Sequence, residues 1–300
     1  MLLALAAIWG ASYLFIEIGL RDLSPAAIAW ARIALAALVL VPIAAARGQL
    51  RLPGASVPVV ALLAAIQVAG PFILIAEGQE EITSSLAGTL VASTPLFTAL
   101  LAVRLDQDER VHGVRMWGIL AGLAGVGILL GLDLSGTSAE ALGGAAILLA
   151  SLGYALGAFL SKLRLPGAPP TGVAAWVMVA STMLLAPFAV ATAPSEAPGL
   201  GPVAAVAALG IVGTGVAFAI FYDLMATIGP SRTFVVTYLA PAFAVAYGAF
   251  LLDEPVSVST IAGLSLIVGG SYLAAQGRLP GRSGPEPVYE AAVRKEPATR

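Results

Sequence analysis

The sequence predicts an all-α integral membrane protein with ten transmembrane helices, arranged as two five-helix repeats of inverted topology. Three observations lead to this fold class: long apolar runs without charge, basic residues gathered in alternate loops, and an internal repeat. Hydrophobic residues make up 59% of the chain and charged residues only 11%, with a mean hydropathy of +0.95. A soluble domain carries about 25% charged residues, so a soluble globular fold is excluded.

The spans are found from the charge-free runs, because a helix needs about 20 mostly apolar residues to cross a bilayer. Two runs near the start, 2–20 and 26–46, contain one charge each, Glu17 and Arg32. The first has no basic segment before it, so we expect a retained helix rather than a cleaved signal peptide. None of the runs alternates in polarity as membrane-crossing strands do. Eight further runs contain no charge at all: 52–76, 82–103, 116–132, 141–161, 165–195, 197–222, 233–252 and 255–277.

The basic residues predict the orientation. With ten spans, 13 of the 15 Lys and Arg residues fall on the side that holds both termini. Basic loops stay in the cytoplasm during insertion, so both termini are expected to be cytoplasmic in the inner, or plasma, membrane of the cell. Residues 277–300 are polar and contain prolines, which predicts a flexible cytoplasmic tail.

The internal repeat divides the chain into predicted units at 1–131 and 139–276. Each unit holds five spans, and five is odd, so the second unit must enter the membrane from the opposite face. Inverted repeats of this kind are typical of secondary transporters. One offset, that between Pro25 and Pro170, also pairs Pro42 with Pro187, Gly70 with Gly215, Glu109 with Glu254, Gly118 with Gly263 and Gly125 with Gly270.

These residues also carry a family resemblance. The Trp9-Gly10 pair, the Trp30-Ala31-Arg32 segment and TLVASTPLFTALLAV followed by Asp108-Glu109-Arg110 resemble the EamA domain of the drug/metabolite transporter superfamily. The segment YLAPAFAVAYGAFLLDEPVSVSTIAGLSLIVGG looks like a second copy. The resemblance covers about 2–275 and implies ten helices, cytoplasmic termini, a central cavity and export of amino acids, metabolites or toxic compounds.

Helix breaks point to the pathway, because irregular backbone is tolerated in a membrane only where protein or a water-filled cavity supplies hydrogen-bond partners. They fall in the third, fourth, eighth and ninth spans, which correspond in the two predicted repeats. The alternative is that each proline merely kinks a packed helix. The predicted breaks are Gly70, Pro71, Pro95, Gly213, Gly215 and Pro241.

Polar and aromatic side chains near the breaks are candidates for lining the pathway, since rings bind apolar or cationic groups and hydroxyls orient polar ones. The alternative is that they anchor helices at the membrane interface. These candidates are Ser12, Tyr13, Gln67, Phe72, Ser93, Thr94, Tyr154, Phe218, Tyr222, Thr237 and Tyr238.

Four charges in or near the spans are gating or charge-coupling candidates, because an intramembrane charge costs about 2.5–3.5 kcal/mol on insertion scales. Arg32 is expected to pair with Glu17 or Glu77, to reach the headgroups, or to contact a substrate carboxylate. Asp223 is either an inner gate or a solvated helix end. Asp253 and Glu254 are expected on a solvated loop, as are the charges at 106–110.

The function predicted from these features is secondary transport, an exporter of small metabolites, amino acids or drug-like compounds by alternating access around a central cavity. A facilitative channel and a non-transporting membrane scaffold are the alternatives. An enzyme is least favoured, because the only histidine, His112, excludes an H-E-x-x-H site and no G-x-S-x-G elbow occurs. No phosphate-binding loop for ATP occurs either. We expect a small-molecule substrate and the lipid bilayer as partners, and no nucleic acid, cofactor or metal; monomer and dimer are both left open.

Overall fold

A computed structural model describes residues 1–52, 57–105, 113–133 and 137–276. Within these ranges the chain is helical and contains no strand. The predicted tail at 277–300 and the charged loop at 106–110 lie outside the described residues.

The helices of the first half follow the predicted spans closely. The Ser24 hydroxyl accepts a hydrogen bond from the Ala27 amide at 3.2 Å and Pro25 occupies the first turn, which together begin the second helix. In chain order the helices are α1 (Leu2–Gly19), α2 (Pro25–Ala46), α3 (Val57–Leu63), a π-helix (Ala64–Ala69), α4 (Gly70–Gly78), α5 (Ser84–Val91), α6 (Thr94–Leu105), α7 (Val114–Ile128) and a short π-helix (Leu129–Asp133).

The second half has seven α-helices, as the first does, but one π-helix instead of two. Thr137 begins it by accepting a hydrogen bond from the Glu140 amide at 3.2 Å. The helices are α8 (Ser138–Arg164), α9 (Pro170–Ala191), α10 (Leu200–Gly210), a π-helix (Ile211–Val216), α11 (Ala217–Ile228), α12 (Pro230–Thr233), α13 (Val235–Leu251) and α14 (Val258–Gln276).

In the described part of the chain, nine helical segments are long and apolar enough to cross a membrane, and Val235–Leu251 is a shorter apolar helix. The predicted all-α membrane fold is therefore confirmed. The third span consists of α3, a π-helix and α4, and the eighth consists of α10, a π-helix and α11.

Helices of the two predicted units pack against each other rather than forming separate bundles. The main pairs are α7 with α14, α2 with α9, α1 with α13, α4 with α8, and α5 with α13. Each pair joins the segment 1–131 to the segment 139–276. A relative movement of the two segments would therefore change contacts along the whole molecule.

The predicted breaks take three forms. Gly70 and Pro71 follow one π-helix, whereas Gly213 and Gly215 lie inside another. The fourth span is interrupted just before Pro95, between Val91 and Thr94.

The break predicted at Pro241 is wrong. Helix α13 runs through this proline, and the nearest interruption is at Phe234, between α12 and α13. A proline removes one hydrogen bond and kinks a helix without ending it when packing holds the neighbouring turns. Here the small buried residues Ala240 and Ala244 let neighbouring helices support both sides.

Candidate functional site

The centre of the site is Arg32, a charged side chain on α2 that is only 8% exposed. Its Nε donates a hydrogen bond to Thr214 Oγ1 at 2.8 Å. The guanidinium carbon lies 3.9 Å from the centroid of the Phe72 ring, in a cation–π contact. Arg32 therefore joins α2 to α4 on one side and to the eighth span on the other.

Thr214 is placed by the π-helix of the eighth span. Its hydroxyl donates to the Leu209 carbonyl oxygen at 2.9 Å, which leaves a lone pair directed at Arg32. Two glycines bring this span close to α2: a Cβ added at Gly210 would lie 2.7 Å from the Leu35 Cβ. Gly215 approaches Val39 equally closely. Single-turn π-helices of this kind often occur at functional sites.

Two tyrosines and a serine belong to the neighbourhood of Arg32. The ring of Tyr154 on α8 lies edge-to-face with Phe72, at 6.4 Å between centroids. Tyr13 and Tyr154 are the titratable groups that interact electrostatically with Arg32. The Ser12 hydroxyl is buried, faces Gly213 and has no hydrogen-bond partner among the described residues.

The ion pair predicted for Arg32 is not formed. No carboxylate of the described residues lies within 4.0 Å of it, and its two η nitrogens donate a hydrogen bond to none of those residues. Glu77 is exposed at the end of α4, and Glu17 faces a cleft one turn beyond Tyr13 on α1. The expected pairs with Glu17 and Glu77 are therefore wrong, because helix rotation points these side chains elsewhere.

That cleft marks one end of the bundle, which we call the Glu254 end. It has a volume of about 340 Å³. Burial and then repulsion from Glu77 and Glu81 raise the pKa of the Glu80 carboxyl in it. The cleft is lined by Glu17, Arg21, Gln79, Glu80, Glu81, Ile82, Thr83, Leu252 and Glu254.

Glu254 does not lie on a solvated loop as predicted but caps α5. Its carboxylate accepts hydrogen bonds from the amides of Ser84 at 2.8 Å and Ser85 at 2.9 Å, and from the Ser85 hydroxyl. The turn that aims it contains Asp253, whose φ of 54° is in the left-handed region. Gly248 leaves the necessary room, since a Cβ there would overlap the carboxylate. This contact joins segment 139–276 to segment 1–131.

The opposite end, which we call the Arg47 end, is joined by an ion pair. Arg47 at the end of α2 contacts Asp223 of α11 through two nitrogen–oxygen pairs, at 2.8 and 2.9 Å. Their side chains are 35% and 50% exposed. Next to them lies a cluster of rings, in which the closest pair is Trp9 and Phe221 at 5.2 Å; Phe218, Tyr222 and Phe234 complete it.

A model of the EamA-like transporter family matches residues 1–131 and 141–276, nearly the whole chain. The chain belongs to the EamA-like transporter family. The sequence resemblance is thereby confirmed.

Relatives of this EamA-like transporter are membrane transporters by name. The uncharacterized inner membrane transporter YedA of Escherichia coli is 28% identical and covers 97% of this chain and 95% of its own. The uncharacterized transporter YoaV of Bacillus subtilis is 22% identical, covering 91% and 94%. A probable amino-acid metabolite efflux pump of Escherichia coli is 24% identical, covering 90% and 92%.

A solved structure supports the fold of the transporter. It superimposes with a TM-score of 0.66 at 23% sequence identity, covering 91% of this chain and 94% of its own. The chain thus has the helical architecture of a known structure.

The other predicted site residues of the EamA-like chain lie away from Arg32 or satisfy their own helices. The hydroxyls of Ser93, Thr94 and Thr237 donate to backbone carbonyls three residues earlier, at 2.7–2.8 Å. Gln67 packs against Gly157, and Tyr238 lies edge-to-face with Tyr272 at 6.1 Å. These residues hold helices in place in this conformation.

Three contacts were not predicted: those of Thr214, Glu254 and Arg47. Thr214 lies between Gly213 and Gly215, which were predicted as helix breaks. The sequence therefore indicated this position but not the hydrogen bond of Thr214 to Arg32. In the described part of the transporter no group of three or more His, Cys, Asp or Glu residues is placed to hold a metal.

Proposed function

We propose that this EamA-like chain is a secondary transporter that exports small molecules by alternating access. The observation that carries the proposal is the unequal closure of the two ends around a buried Arg32 that forms no ion pair with the described residues. One end is held by a carboxylate that caps a helix of the other segment, and the other end by an exposed ion pair. A carrier needs two such closures that open in turn.

The packing of the fourth span supports the same mechanism. At the Glu254 end, α5 packs against α13, so the fourth and ninth spans meet there. Both α5 and α6 pack against α8 and α14, and the main packing against α13 belongs to α5, before the interruption at 92–93. The fourth span can therefore change partners at its interruption, which is what a moving wall of a pathway requires.

The relatives and the basic residues support a proposal for the cargo and the direction. The relative named a probable amino-acid metabolite efflux pump favours amino acids and related metabolites, with drug-like compounds as a wider class. With both termini in the cytoplasm, as the basic loops indicate, the Arg47 end faces the cytoplasm and the Glu254 end the outside.

Counterflow in proteoliposomes tests the proposal. Vesicles holding the purified protein are preloaded with one unlabelled amino acid, sugar or cationic drug at a time, and uptake of the labelled compound is followed. A carrier accelerates uptake from the preloaded vesicles, whereas a channel gives no acceleration and a scaffold no uptake. Absence of counterflow across the panel would reject the transport proposal.

Cysteine labelling tests the alternation itself. The chain contains no cysteine, so single variants need no altered background. We expect Thr94→Cys and Thr237→Cys to change their labelling from the two faces in opposite senses when a transported compound is added. Unchanged labelling contradicts rocking access. A cysteine at Ser283, in the predicted tail, reports orientation and should react only in permeabilised cells.

A further inference from the structure

We propose that Arg32 binds a carboxylate group of the transported molecule through its two η nitrogens. The inference rests on the proposed transport function and adds the substrate class and the residue that recognises it. It starts from a charge that the fold has buried and left without an acidic partner among the described residues.

Burial of such a charge needs compensation. Arg32 is the seventh residue of α2, about 10 Å along the helix at 1.5 Å per residue, and is 8% exposed. An isolated buried cation is strongly unfavourable unless it is paired or hydrogen-bonded. The Thr214 hydroxyl and the Phe72 ring partly stabilise the buried guanidinium, but neither carries a negative charge. An anionic ligand would supply what these two neighbours lack.

The neighbours also determine from which direction a ligand can approach. Phe72 covers one face of the guanidinium, and Thr214 occupies the Nε hydrogen. The remaining edge carries both η nitrogens, which find no hydrogen-bond partner in the described residues. Two parallel N–H groups on one edge match the two oxygens of a carboxylate.

Hydroxyls of neighbouring residues fit the same ligand. Those of Tyr13 and Tyr154 interact with the Arg32 charge and donate to no described residue, and Ser12 Oγ is buried without a partner. A carboxylate accepts about four hydrogen bonds, so it can use the guanidinium and these hydroxyls together. The buried Ser12 hydroxyl would otherwise be left without a hydrogen-bond partner, which is unfavourable.

Charge balance favours a carboxylate over a phosphate group. Arg32 is the only Lys or Arg within the ten predicted spans. One positive charge neutralises one carboxylate, whereas a phosphate dianion would leave net negative charge in a medium of low dielectric constant. The apolar ring of Phe72 beside the site suits the organic part of such an acid.

Binding of matched acid and amide pairs to the purified full-length protein in phosphatidylcholine nanodiscs tests the inference. The probes are phenylacetate with phenylacetamide, 4-methylpentanoate with its amide, L-leucine, and inorganic phosphate. We expect the acids to raise the melting temperature and the amides and phosphate to have little effect. Equal effects of every acid and its amide, or stronger binding of phosphate, would overturn the inference.

Variants locate the binding. Arg32→Gln should weaken acid binding about 10- to 100-fold, because a charged hydrogen-bonding partner is lost. Arg32→Lys should weaken it less, since the charge remains without the planar pair of donors. If Arg32→Gln does not fold, Arg32→Lys and Thr214→Val still report on the site. Arg164→Gln, an exposed arginine at the end of α8, is the matched control. Acid binding that survives Arg32→Gln would overturn the inference.

Transport and recognition can fail separately. If the wild type exchanges only uncharged compounds and Arg32→Gln exchanges them equally well, the carboxylate site is refuted and transport stands. If acids bind through Arg32 but no compound shows counterflow, the site stands and the transport proposal is refuted.

Discussion

The Glu254 end and the Arg47 end of the molecule are both joined by acidic side chains, but in different ways. At the Glu254 end, a partly buried carboxylate accepts two backbone amides and a hydroxyl at the start of α5. At the Arg47 end, Asp223 forms an ion pair whose side chains are 35% and 50% exposed. The first contact satisfies a helix terminus, and the second joins two flexible side chains in contact with water.

This difference determines which end is expected to open more easily. Amides at a helix N-terminus lack internal partners, and charged hydrogen bonds to them are worth about 1.5–3 kcal/mol. Exposed ion pairs are worth about 0.2–1 kcal/mol and are weakened by salt. The Arg47 end should therefore open first from this conformation, and the Glu254 end should be the slower step.

The largest effect is expected for Glu254→Ala. Loss of the cap leaves the amides of Ser84 and Ser85 without an acceptor, so the free energy of unfolding should fall by about 2–3 kcal/mol. Chemical unfolding in bicelles measures it. Labelling of Ile82→Cys, buried in the nearby cleft, should also become faster. Glu81→Ala, in the same cleft, is the control; equal losses in both variants would show that the cap contributes nothing specific.

A smaller effect is expected at the Arg47 end. A double-mutant cycle of Arg47→Ala and Asp223→Ala should give a coupling energy of about 0.2–1 kcal/mol that decreases as salt is added. Arg51→Ala, an exposed arginine nearby in sequence, should show no coupling to Asp223. A coupling energy as large as the loss of unfolding free energy in Glu254→Ala would contradict the expectation that the Arg47 end is held more weakly than the Glu254 end.

The smallest effect is expected for Glu80→Gln at the Glu254 end. Burial and neighbouring acids raise the pKa of Glu80 in the folded protein. The contribution of Glu80 to the free energy of unfolding is therefore fully present below its pKa in the unfolded chain. It is lost as the pH rises through its pKa in the folded protein. The glutamine variant should be more stable by a few tenths of a kcal/mol at pH 7.5, and the gain should vanish near pH 4. The free energy of unfolding at both pH values measures this gain, and Glu196→Gln, outside the cleft, is the control variant.

The sequence predicts the spans well because their boundaries depend on local composition. The predicted runs 2–20 and 26–46 became Leu2–Gly19 and Pro25–Ala46. Burial of charge is costly anywhere in a bilayer, so each charged residue marks a limit whatever the rest of the chain does.

The contacts of the site depend on helix rotation and on distant segments, which composition does not reveal. Arg32 was expected to meet an acid and instead meets Thr214, 182 positions along the chain. Glu254 reaches a helix start that precedes it by about 170 residues. The π-helices have no simple sequence signature, and Pro241 shows that a proline alone does not end a packed helix.

The π-helix beside Thr214 has a mechanical consequence. A π turn holds more residues than an α turn, and it can be displaced along a helix by exchanging hydrogen bonds one at a time. Each one-residue displacement rotates the side chains it passes by about 100°, since an α turn has 3.6 residues. Thr214 could thus swivel away from Arg32 while both ends of the eighth span stay anchored. The guanidinium would then exchange one oxygen partner for another without any helix leaving the membrane.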